Sequence, residues 1–168
     1  MMKKNKLPLL LFCFFTVLFS SCNKKPVKNF LGDFTYKTSG SITVEGDSSD
    51  VALKIANKLG QMDIIDIGEE NRVMVIKTEI TGNITKTYAT ISSDDENKII
   101  FDTIPISEIL ISGLDTVSSE TNIFSAPVCK RYEDRIVIED FYFGYVDTYK
   151  AKGPIKQSDV ITISEKNK

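Results

Sequence analysis

From about residue 30 onward, apolar positions recur every second residue. In "RVMVIKTEI", Met74, Ile76, Thr78 and Ile80 share one face, and Val73, Val75, Lys77 and Glu79 share the other. Alternation of period two with charge on one side predicts a half-buried strand. Thr81-Gly82-Asn83 then forms a turn into the β-rich "ITKTYATIS", so these two runs predict a hairpin. "SSDDEN" turns the chain into "KIIFDTI". Upstream, "DFTYKT" and "SITVEG" flank Ser39-Gly40 and predict another hairpin. "RIVIED", "FYFGYVDTYKA" and "DVITISEK" complete the set, with Gly153-Pro154 separating the last two. The total is about eight to ten strands.

Two stretches carry both periods. "SSDVALKIANKLG" reads as a short helix near 50–59, with Ser49 as cap, a stripe of Ala52, Ile55, Ala56 and Leu59, and Gly60 as the stop. It also alternates as Val51, Leu53, Ile55 against Ala52, Lys54, Ala56, but the capping signals favour the helix. In "PISEILISGLDTVSSETNIFSAPVCKRYED", residues 106–111 fit a strand or one helical turn, and residues 114–126 read as a long loop. The fold class is therefore all-β and mainly antiparallel. So many strands in about 140 residues must close into a barrel or stack as a β-sandwich, because edges and apolar faces both need cover.

The first residues follow another pattern. Met1 to Lys6 hold three lysines and no acid, and Leu7 to Phe19 are almost wholly apolar. Thirteen helical residues reach only about 20 Å, short of the roughly 30 Å hydrocarbon core, so the run predicts a secretory signal and not a membrane span. Ser20 and Ser21 then precede Cys22 in "FSSC". This resembles the lipobox of bacterial lipoproteins. The resemblance implies a signal peptide over 1–21, cleavage before Cys22, and acylation of its sulfur and amine with palmitate-type chains. Three such chains supply tens of kcal/mol of partitioning, at about 0.8 kcal/mol per buried CH₂. Residues 22–29 become the lipidated cysteine and a flexible tether, and 30–168 a single β domain. By analogy with lipoprotein sorting, Asn23 followed by lysines implies the outer membrane and its periplasmic face.

Cleavage changes the charge. The chain's 21 basic and 23 acidic residues become 18 and 23, so its formal charge moves from −2 to −5. That balance argues against nucleic acid as a partner. Lys24, Lys25 and Lys28 either lie along headgroups or solvate the tether. The opening "FLGDFTYKTSGSITV", followed by a meander behind such a signal, resembles the calycin-like or lipocalin-like β-barrel lipoproteins. That resemblance implies a non-enzymatic barrel binding a small apolar ligand or an envelope component. The other reading is a structural or inhibitory interaction module with a solid core and no ligand cavity.

Candidate chemistry is sparse. With no histidine, Ser-His-Asp and Cys-His catalysis and the usual zinc sites are excluded. Carboxylate pairs such as Asp63 with Asp66, or Glu139 with Asp140, remain, as do oxygen ligands in "GDSSD" and "SDDEN", but most of these sit in turn sequences where solvated charge is expected. No cofactor motif is present. Cys129 is the one cysteine left after processing, so no internal disulfide forms; it reads as a buried thiol, with Lys130 and Arg131 the reason to consider a reactive one. "DTV" (115–117) resembles an O-glycosylation signal of some periplasmic proteins, with Thr116 as acceptor. In "FYFGYVDTY", Phe141, Phe143, Tyr145, Asp147 and Tyr149 share one side, while Tyr142, Gly144, Val146 and Thr148 share the other. One side fills the interior, and the other is covered or exposed as a contact patch. Phe143, Tyr145 and Tyr149 are the candidate ligand lining, Asp147 a polar contact, and Gly144 a point of close approach.

Overall fold

A computed structural model describes residues 26–106, 109–118 and 122–168; the signal segment, Cys13 and Cys22 lie outside these. A 3₁₀ turn, Pro26–Asn29, leads into eleven strands: β1 (Gly32–Val44), β2 (Val51–Asp66), β3 (Arg72–Glu79), β4 (Ile84–Ile91), β5 (Lys98–Phe101), β6 (Ile104–Ile106), β7 (Ile109–Ser112), β8 (Asp115–Ser118), β9 (Ile123–Arg131), β10 (Arg135–Asp147) and β11 (Lys152–Lys166). All pairings are antiparallel. The ring β1-β11-β10-β9-β5-β4-β3-β2 is closed by β1 pairing with β2, giving an eight-stranded barrel. The all-β antiparallel barrel expected from the sequence is the fold. β6, β7 and β8 are an excursion from it: β6 pairs with the start of β9, and the β7–β8 hairpin with the start of β2.

The β3–β4 hairpin closes as its turn predicts, with Thr78 opposite Ile84 and Val73 opposite Ala89. Four local expectations are corrected. Residues 50–59 are strand and not helix: Leu53 and Ile55 are buried between exposed Ala52, Lys54 and Asn57, and Gly60 lies inside β2 where its partner changes from β7 to β3. Pairing with β1 on one side and β7 or β3 on the other overrides the local helical signals. Ser39-Gly40 is no hairpin turn but an irregularity within β1, which continues through it to Val44. Residues 114–126 are not one long loop but contain β8 and the start of β9. Gly153 and Pro154 begin β11 without breaking anything; the turn falls at residues 148–150, and "RIVIED" and "FYFGYVD" are one strand.

Inward side chains form two apolar clusters stacked along the barrel. The lower contains Phe34, Met62, Ile64, Val73, Ile99, Cys129 and Ile138; the upper contains Ile42, Leu53, Leu110, Ile123, Tyr142 and Val160. The lower end is plugged from outside the ring. Val27 and Phe30 are fully buried in the lower cluster, Leu31 packs on it, and the Phe30 N–H donates to the Val27 carbonyl at 3.0 Å. Part of the expected flexible tether is thus the floor of the barrel. An apolar pair five and two residues before β1 hides there because strand ends alone leave the barrel base open to water.

Candidate functional site

Between the clusters lies a polar belt. Thr38 of β1, Thr162 of β11, Asp140 of β10 and Ser125 of β9 all point inward and are buried. Thr162 Oγ1 donates to Asp140 Oδ2 at 3.1 Å, Ser125 Oγ approaches Oδ1 at 3.5 Å, and the Thr38 and Thr162 hydroxyls meet at 2.6 Å. Burying a carboxylate without such donors costs several kcal/mol, about 1–3 kcal/mol for each polar group left unpaired. On the opposite wall, the face that begins with Val73 and Val75 continues as Lys77 and Glu79. Glu79 holds Lys58 of β2 at 3.3 Å, and the Lys77 ammonium sits 5.7 Å from the Tyr36 ring centre. Thr38 and Asp140 from the belt, with Tyr36, Lys58, Lys77 and Glu79, line a cavity of about 70 Å³ that opens beside the β3–β4 hairpin, where Thr85 and Lys77 leave the core.

Cys129 faces the same interior. Burial pushes its thiol from 9.0 up to about 12, with the nearby Lys77 charge opposing. The buried-thiol reading holds: Lys130 stands on the outer side of β9, and the Arg131 guanidinium is turned to Asn97 at the end of the strand. At pH 8 a thiol-specific disulfide reagent is expected to leave folded residues 23–168 unmodified and to release one equivalent on unfolding; prompt reaction of the folded protein would contradict this. Because the folded state keeps the proton, the thiol's contribution to stability is complete below pH 9 and is lost as pH rises toward 12.

The aromatic stretch divides between faces as the alternation predicts, with Tyr142 and Val146 inside. Phe143, Tyr145, Asp147 and Tyr149 do not line the cavity; they stand on the outer surface, and Asp147 pairs with Lys152 at 3.1 Å. There the phenyl rings of Phe124, Phe143 and Phe141 form a ladder, with centroids 5.8 and 6.1 Å apart and planes inclined by 26°. Phe141 is 59% exposed. Beside the ladder the β10–β11 pairing is interrupted between Asp140 and Tyr145, and an open groove of about 480 Å³ lies there, walled by Phe141, Ala126, Val128 and Ile161 and by the polar Glu139, Ser158 and Asp159. Gly144 makes the interruption, as the predicted close approach: its φ is +115° and an added Cβ would lie 2.1 Å from the Asn122 carbonyl oxygen. The Tyr145 N–H donates to that same oxygen at 3.0 Å, so β10 turns toward the β9 side and away from β11.

The carboxylates show turn chemistry. Asp63 is raised above its ordinary value by partial loss of solvent, then by the charge and hydrogen bond of Asp33 across the β1–β2 pairing, but the pair stands on the outside and not in a cleft. Asp50 and Glu45 are held by Lys156, and Asp95 caps the Asn97 N–H of its own turn. Among the described residues, no three His, Cys, Asp or Glu side chains stand together as metal ligands. Thr116 is exposed, on strand β8. Lys77 and Glu79 share a face with Val73 and Val75, so the burial of those valines turns both charged side chains inward.

What fold and surface define is a filled eight-stranded β-barrel with an aromatic outer face. No protein-family model matches the chain, and neither does any curated protein or solved structure.

Proposed function

We propose that this chain is a lipid-anchored protein of the outer membrane, facing the periplasm, whose barrel is a non-enzymatic docking module for another envelope protein. The observation that carries the reading is the inversion of the lipocalin arrangement: the interior is filled, and the aromatic surface is outside. Pockets for apolar ligands occupy about 300–1,000 Å³ and are lined mainly by apolar groups. The interior space here is only about 70 Å³, and its wall is as much lysine, glutamate, aspartate and threonine as apolar side chains. The outer face supplies stacked phenyls, Ile161 and Ile163 next to a groove, the kind of rigid aromatic anchor that dominates protein interfaces. The acylation of Cys22 rests on the "FSSC" motif and the basic and apolar run before it.

The test is a double variant, Phe141→Ser with Phe143→Ser. Phe141 is exposed and Phe143 half-buried in the ladder, so unfolding free energy is expected to fall by about 1–2 kcal/mol with the fold retained. A photocrosslinker placed at Tyr145 in the native envelope should give a discrete protein adduct in the parent and lose it in the double variant. An adduct of equal yield in both, or a small molecule released from the native protein in mass spectrometry without any protein adduct, would sink the docking reading.

A further inference from the structure

We propose that the plugged end of the barrel is its membrane-facing surface, held against the lipid headgroups by a leash too short to let the molecule tumble. The inference rests on the acylation of Cys22. Its structural basis is the floor: Val27 and Phe30 are fully buried, and Asn29 borders a notch made with Tyr132, Glu133 and Arg135 of the β9–β10 turn. The chain therefore stops being a tether at Pro26. Four residue steps separate Cys22 from Pro26, and an extended chain covers at most about 14 Å in that distance.

Attraction is not what holds this end down. The turns around it carry Glu69 and Glu70, Asp94, Asp95 and Glu96, and Glu133 and Asp134, seven acids against Lys28, Arg131, Arg135, Lys166 and Lys168, with Arg72 offsetting Glu69. An acidic rim is repelled by anionic lipid over a Debye length of about 8 Å at physiological salt, a distance comparable to the leash. The covalent anchor imposes the orientation against a weak opposing field. With the floor down, the β3–β4 turn and the cavity opening point away from the membrane. Phe141 lies six residues along β10 from the floor turn; at about 3.4 Å per residue and a strand tilt near 40°, that is roughly 15 Å above it. The phenyl ladder then faces sideways, toward a partner standing on the same leaflet.

Single cysteines read the orientation cleanly because Cys129 is buried. Glu70→Cys and Glu96→Cys mark the floor, and Asn83→Cys marks the opposite turn. Each is made in the full chain, purified with its lipid and reconstituted into phosphatidylethanolamine–phosphatidylglycerol vesicles, with palmitate incorporation checked by label. With a polymer-bearing maleimide, the floor positions should react several-fold more slowly than Asn83→Cys. The difference should vanish in the corresponding Cys22→Ser proteins. It should also vanish when about 20 Gly/Ser residues, with a root-mean-square reach near 25 Å, are inserted between Lys25 and Pro26 of the lipidated chain. Labelled palmitate with equal reactivity at both ends, or with protection at Asn83→Cys, overturns the orientation alone. Absence of palmitate overturns the anchor and the orientation with it.

Discussion

Phe30→Ala is expected to lower the unfolding free energy by about 3–5 kcal/mol, the cost of truncating a buried phenyl when the site cannot collapse around the void. Phe30 is fully buried beneath Phe34 and Ile136 in the lower cluster, yet it belongs to no strand, so no ladder of backbone bonds holds it. With Val27 its ring attaches the 3₁₀ turn to the barrel, and the Phe30 N–H bond runs back to Val27 within the same turn. Removing the ring therefore loses its own burial and loosens Val27 and Leu31 as well. Phe30→Leu keeps most of the volume and is expected to cost under about 1.5 kcal/mol. Guanidinium denaturation of residues 23–168 checks both values. A loss below about 1 kcal/mol for Phe30→Ala would mean that the floor is not closed by this residue in solution. The same variant ties stability to placement: a detached floor lengthens the leash, so maleimide protection at the floor should weaken along with it.

The parts of this fold that could be read locally were those whose turn chemistry and period agreed. The β3–β4 hairpin is the clearest case, since Thr81-Gly82-Asn83 and two alternating arms leave no competing solution. Residues 50–59 fit both periods, and the choice between them lay in β1 and β7, remote in sequence. Ser39-Gly40 looked like a turn because glycine serves turns and bulges alike, and only the strand on the far side, β11, tells them apart. The site follows the same division. Alternation alone separated Phe141, Phe143 and Tyr145 from Tyr142 and Val146, but not which set is inside; that depends on the curvature of the closed sheet. Lys77 and Glu79 read as the charged side of a half-buried strand, although Val73 and Val75 on that same side fix the direction in which they point. A polar belt inside a barrel runs against composition rules, and such violations concentrate where a protein gives up stability for some other requirement.

Gly40→Ala is the second variant with a large expected effect, about 3–5 kcal/mol of destabilisation from backbone strain and overlap together. β1 passes from the lower cluster to the upper one at this residue, with φ of +146° and a shift in its pairing to β2 between Thr38 and Gly40. An added Cβ would lie 2.1 Å from the Asp159 carbonyl oxygen and 2.7 Å from the Val160 Cα, both of them backbone atoms in a paired strand. No rotamer change relieves that overlap, so β1 or β11 must move. Two residues below, the Thr38–Thr162 hydroxyl contact supports the donor on Asp140, and a displaced β1 weakens both bonds at once. Gly82→Ala is the control: φ is +92° but an added Cβ meets nothing within 4 Å, so only conformational strain of about 1 kcal/mol is expected. If the two variants unfold at the same denaturant concentration, β1 does not bend against β11 at Gly40. The two clusters would then have to be joined by some other distortion of the barrel wall.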